Sequence, residues 1–177
     1  MEKVDVIKLL RDDDSRLDIL PKLTQTDDPE IILEIIELFD AGRIEVRGEV
    51  FSTLFLNENN ILEQLLKGLK HESKNVRGYT ALVIANRNEK NAIREIIELT
   101  DDSSGLVRTC AYGALGHLEV KESEEELHKG IFDSNLEAIK SAAYALARIK
   151  EKISQEEIDS MKRLEKTEFE KILKFFN

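Results

Sequence analysis

Apolar residues return along this chain at helical spacing. In the stretch from Val107 to Leu118, the residues Val107, Ala111, Ala114, Leu115 and Leu118 share one helix face, because 3.6 residues per turn align these offsets. Arg108 lies at the edge of that face. The same arrangement recurs at Val76-Arg77, Val46-Arg47 and Ser15-Arg16 upstream, and at Ala138-Ile139 and Phe169-Glu170 downstream. The successive spacings are 31, 30, 31, 31 and 31 residues. A fixed period of this length marks stacked repeats, in which each unit buries its apolar face only against its neighbours.

Between these stretches the pattern predicts a partner helix in each repeat. Val4 to Leu10 forms the first, and Ser15 with Asp18 starts the second, which Pro21 shortens or kinks. Asp28-Pro29 opens a strongly apolar helix through Ile31, Ile32, Ile35, Ile36, Leu38 and Phe39 that ends at Ala41-Gly42. Helices follow over 44–56, from Asn60 with Glu63, over 74–86 and over 91–100. Ser123 with Glu126, Ser154 with Glu157 and Thr167 with Glu170 have capping-box spacing, and 135–150 forms the last long helix. The reading is twelve helices in six pairs, joined by short connections and without strands.

The pattern Val-Arg-x-small-Ala-x-x-Ala-Leu-Gly-x-Leu resembles the HEAT-like repeat in the short form first noted in phycobilin lyases. The resemblance implies an all-α, right-handed α-solenoid of about six HEAT-like helix pairs, A then B, as one domain over 1–177 with terminal pairs as caps. It also implies that Arg108 matches the family's arginine and Asp101 or Asp102 its turn aspartate. The family is a scaffold used for many purposes, so the resemblance speaks to fold and not to function.

Composition agrees with a folded, soluble chain, at 41% hydrophobic and 35% charged residues with only two prolines. No apolar run approaches a membrane span, and the N-terminus lacks the plan of a signal peptide. One cysteine cannot form an intramolecular disulfide, so a reducing, cytoplasmic setting is expected. The net charge of −10 is concentrated in residues 1–59, which hold seven Lys/Arg against fifteen Asp/Glu. That balance repels a phosphate backbone and disfavours nucleic acid as a partner.

Candidate chemistry is sparse. Asp12-Asp13-Asp14 lacks the alternating spacing and glycine of a calcium loop. His71, His117 and His128 do not share a metal-ligand spacing. Cys110 falls on the core face of its helix. No phosphate loop, dinucleotide fingerprint or catalytic triad is present, so no cofactor, no metal and no enzymatic activity are expected. The column Arg16, Arg47, Arg77, Arg108 could form a basic ladder. The resemblance instead implies that these arginines bond turn aspartates and carbonyls between neighbouring units, as a guanidinium with five fixed donors can.

The outer face of the B helices carries the functional expectation. At offsets two, five, six and nine from each repeat's first position it reads Gly48, Phe51, Ser52, Phe55; then Gly78, Ala81, Leu82, Ala85; then Thr109, Tyr112, Gly113, Gly116; then Lys140, Ala143, Tyr144, Ala147. A free surface helix would be polar here. Since B helices line the concave side in the family, these residues predict an apolar groove with Phe51, Phe55, Leu82, Tyr112, Tyr144 and Lys140 as the partner-binding set. The function expected is a non-catalytic scaffold for a protein or peptide, such as a helix laid in the groove. Two alternatives stand beside it. The face is buried by self-association in a homo-oligomer, or the protein is lyase-like and handles a chromophore. Small residues on this face also fit a simple packing contact between B helices.

Overall fold

The computed structural model describes residues 1–176, and among them every regular element is helical. Contacts gather the chain into two compact units, Met1–Arg87 and Asn88–Asn177. The first unit holds α1 (Lys3–Arg11), α2 (Arg16–Ile19), α3 (Pro29–Glu37), α4 (Ile44–Phe55), α5 (Leu62–Gly68) and α6 (Lys74–Asn86). The second holds α7 (Ile93–Glu98), α8 (Gly105–His117), α9 (Glu124–Gly130), α10 (Leu136–Ile149), α11 (Gln155–Met161) and α12 (Lys166–Leu173). The odd-numbered A helices are short, several extended by a 3-10 turn, and the B helices α4, α6, α8 and α10 run 12 to 14 residues.

Side-chain caps set four of the helix starts. Asp28 accepts hydrogen bonds from the Glu30 and Ile31 amides at 2.9 and 3.3 Å, with Pro29 at the first turn of α3. Ser73 caps α6 and Asn135 caps α10 in the same way. Ser154 and Glu157 form the full reciprocal capping box of α11. Pro21 ends α2 at Ile19, and the chain continues as a 3-10 turn over Leu20–Leu23.

Three predicted caps do not form. The Ser123 hydroxyl donates back to the Val120 carbonyl at 2.7 Å, because a 3-10 turn precedes α9 and occupies the place of an extended N-cap. Ser15 bonds Asp12 with its amide and hydroxyl and gives α2 no side-chain cap. Thr167 lies inside α12, whose N-cap is Glu165. Asn60 is displaced by one residue: Ile61 is the N-cap of α5, and Asn60 accepts from the Leu62 amide at 3.4 Å.

The apolar stripes form the core. Val46, Val50 and Leu54 of α4, Val76, Val83 and Ile84 of α6, Val107, Ala111 and Leu115 of α8, and Ile139, Ala142 and Leu146 of α10 are all buried. Each large aliphatic side chain removed from water contributes about 1.5–3 kcal/mol. This burial, and not intrinsic helix propensity, holds helices as short as the four residues of α2 and the six of α7. Polar side chains stitch successive turns. Thr53 donates to the Leu20 carbonyl at 3.1 Å, Asn57 to Thr26 at 2.7 Å, and Arg148 to Gly116 at 2.8 Å.

Candidate functional site

The recurring arginines hold the turns between A and B helices. Nη1 of Arg47, Arg77 and Arg108 donates to the carbonyl six residues upstream, Ala41, His71 and Asp102, at 2.6, 2.8 and 2.7 Å. Those carbonyls lie in the turn that follows each A helix, outside any intrahelical ladder. Arg16 differs. It donates to Arg11 and pairs with Asp13 at 2.7 Å, while its Nε is buried without a partner.

Around α8 the arginine is fully engaged. Arg108 Nε and Nη2 donate to the two oxygens of Asp133, both at 2.7 Å. Burial alone would raise the Asp133 carboxyl. The Arg108 guanidinium and the Asn135 amide outweigh it and hold the group below the ordinary carboxylate value. The Asp133 hydrogen bond in turn raises the Arg108 pKa.

The six residues expected to bind a partner do not form one set. Tyr112 is a correction: it is only 4% exposed. Its ring packs on Gly130 of α9, where an added Cβ would lie 2.8 Å from Tyr112 Cζ. Burial pushes its hydroxyl up to about 12. The physical reason is that α8 is not a two-faced helix. It packs on α7, α9 and α10, so residues flanking the core stripe are covered too. Gly116 shows the same closure, since a Cβ there would meet the Ala145 Cα and Cβ at 2.8 Å. This is the packing reading of the small residues, and it holds at α8.

Tyr144 is half-buried, with its ring edge-on to Phe175 at 5.4 Å and its hydroxyl donating to Glu168 at 3.0 Å. Lys140 pairs with Glu137 of its own helix at 2.7 Å. Residues of and after α12 therefore engage the outer face of α10.

Phe51, Phe55 and Leu82 do come together. Phe51 and Leu82 line an apolar hollow of about 290 Å³ with Phe39, Ile44, Arg47, Gly48 and Tyr79. Phe55 stacks beside Phe51 with centroids 6.3 Å apart and is 44% exposed, while Ile44 at the start of α4 is 70% exposed. Phe39 and Tyr79 meet at 5.5 Å at the base. Gly48 is exposed, and a Cβ there would touch nothing within 4 Å. Ile44, Arg47, Phe39 and Tyr79 were not among the expected site residues. Tyr79 sits at offset three and Phe39 on an A helix, outside the four offsets that define the outer face. Arg47 belongs to the arginine column, for which the sequence leaves a basic ladder beside the structural role.

Among the described residues no cluster of His, Cys, Asp or Glu is arranged to hold a metal ion. Cys110 is buried, and burial pushes its thiol up to about 11, which keeps it a thiol at neutral pH. No helix among the described residues is long and apolar enough to cross a membrane.

Paired short helices in fixed register, with a recurrent arginine at the turns, give the chain an all-helical repeat fold of the armadillo and HEAT solenoid kind. Residues 62–126 match the family described as HEAT repeats. The fold is similar to that in the complex of CpcE and CpcF of phycocyanin lyase from Nostoc sp. PCC7120, with a TM-score of 0.69 at 19% identity, covering 85% of this chain and 100% of that one. It is also similar to a designed armadillo repeat protein in complex with the peptide (KR)4, with a TM-score of 0.56 at 20% identity over the whole of both chains. Computationally designed armadillo repeat proteins for modular peptide recognition match with a TM-score of 0.54 at 19% identity, covering 99% of this chain and 100% of that one. No curated protein sequence matches the chain.

Proposed function

We propose that the protein is a non-catalytic scaffold that binds a protein or peptide through the outer face of α4 and α6. The groove first expected ran through Tyr112. With that residue buried, the reading is confined to the hollow around Phe51, Phe55 and Leu82. It keeps the chain as one repeat domain, supported by the unbroken 30- to 31-residue register.

Gly48 carries the proposal. A glycine inside a helix costs about 1 kcal/mol relative to alanine. Gly68, Gly116 and Gly130 offset that cost by close packing, with neighbours that a Cβ would strike at 2.6 to 2.8 Å. Gly48 has no such neighbour, yet it forms part of the wall of an apolar hollow rimmed by exposed Ile44 and Phe55. A ligand approaching the α4 backbone supplies the missing reason. Large apolar side chains in such a hollow are the usual anchors of a recognised peptide.

The test is a display selection of random peptides of about 12 residues on the wild-type protein and on Gly48→Phe. The expected result is enrichment of a related set of sequences on the wild type, lost on the variant, whose melting temperature does not fall. Absence of any enriched set, or equal binding to both proteins, would refute the reading.

A further inference from the structure

We infer that the α4–α6 hollow takes a peptide segment in which a large apolar side chain lies next to a carboxylate, and that Arg47 reads the carboxylate. This rests on the binding role proposed above and adds the chemistry of the partner.

The same arginine can be followed in two repeats. Arg108 uses Nη1 for the Asp102 carbonyl and Nε with Nη2 for both oxygens of Asp133. Arg47 uses Nη1 for the carbonyls of Ala41 and Gly42, at 2.6 and 3.3 Å. Its Nε and Nη2 have no hydrogen-bond or ion-pair partner among the described residues. Neither is among the polar atoms buried without a partner, so this edge of the guanidinium is open. Asp133 lies 25 residues after Arg108, and the residue 25 after Arg47 is Glu72. Glu72 is exposed, and its carboxylate makes no ion pair among the described residues, while its carbonyl accepts from Arg77.

The open edge belongs to a side chain that lines the hollow. The guanidinium carbon lies 6.0 Å from the Tyr79 ring centroid, and one nitrogen is fixed by the turn. A guanidinium held in this way is pre-organised for a bidentate carboxylate, the pairing that Asp133 makes with Arg108. An apolar side chain seated among Ile44, Phe51 and Leu82 would exclude water from the adjacent Arg47 edge. A neutral neighbour would leave those N–H groups without acceptors, and a basic neighbour would be repelled. The hollow itself is apolar, so Arg47 is its one charged lining residue among those described.

Peptides enriched on the wild type are synthesised as pairs, one native and one with each Asp or Glu replaced by its amide, and titrated by fluorescence anisotropy. The expected sequences place Asp or Glu within two positions of Leu, Ile, Met or Phe. The amide twin should bind about tenfold more weakly, the scale of a charge-assisted hydrogen bond. On Arg47→Gln the two twins should bind alike. Should that variant fail to melt cooperatively, the wild type decides alone, through the difference in affinity between the two twins. Enriched peptides without an acidic preference, or twins of equal affinity on the wild type, would overturn the assignment of Arg47 and leave the hollow as a binding site. No enrichment at all would sink the binding reading itself. A dimer seen by light scattering and lost in Gly48→Phe, without peptide enrichment, would give the hollow to a second copy and overturn the inference.

Discussion

α4 and α8 carry the same repeat position by position, and they have opposite outer faces. Where α8 has Tyr112 and Gly116, α4 has Phe51 and Phe55. Gly116 lets α10 approach until Ala145 is in contact. The residues of α4 and α6 at the corresponding positions are Phe55 and Val83. Phe55 stacks on Phe51 and stays 44% exposed, and Phe51 lines an open hollow where α8 has a closed contact. The arginine follows the same division, saturated by Asp133 at α8 and open on one edge at α4. Two or three side-chain sizes thus decide whether a B-helix face is core or surface, with no change in helix register.

The contrast is sharpest at the aromatic position. Tyr112→Ala should cost about 3–5 kcal/mol in urea unfolding followed by circular dichroism, because it empties a closed site against Gly130. Phe55→Ala, at a 44% exposed site, should cost less than about 1 kcal/mol. Equal losses would erase the distinction between the two faces.

The ion pair comes next. Asp133→Ala leaves the Arg108 guanidinium partly buried without its carboxylate and should destabilise by about 3 kcal/mol. Arg47→Ala removes two carbonyl contacts and no salt bridge seen among the described residues, and should cost about 1 kcal/mol. A larger loss from Arg47→Ala would mean that its open edge has a partner inside the fold.

Glycine replacement gives effects of opposite sign. Gly116→Ala must push Ala145 aside and should destabilise by about 1–3 kcal/mol. Gly48→Ala meets free space and should stabilise by up to about 1 kcal/mol. A destabilised Gly48→Ala in thermal melts would contradict the open face.

Acid has the smallest expected effect. Asp133 and Glu157 both titrate below their ordinary values of 3.8 and 4.5 in the fold. In Glu157 burial is opposed by hydrogen bonds from the Ser154 amide and His128. Each carboxylate therefore contributes its full stability at neutral pH. That contribution fades as pH falls from the ordinary value through the lower folded one. Urea midpoints should drop below about pH 4.5, and less so in Asp133→Asn.

Much of the fold was legible because helical periodicity is a strong signal over 12 or more residues. The helix read over 74–86 is α6 as observed, and the cap at Asp28-Pro29 formed as its spacing implied. Short elements were less legible, since a 3-10 turn before α9 used the Ser123 hydroxyl that the capping pattern assigned to the helix. Tyr112 was misplaced because a helical wheel divides a helix into two faces, whereas α8 has neighbours on three sides. The open edge of Arg47 was hidden for a different reason. An acidic residue, Glu72, stands at the register position of Asp133, and only coordinates show that it does not make the pair.

The most direct test of the divided B-helix faces is hydrogen–deuterium exchange of the wild-type protein with and without a saturating display-enriched peptide. Added protection should fall on residues 44–55 and 74–86, with 105–117 unchanged. Protection concentrated on 105–117, or absent from 44–55, would contradict the account.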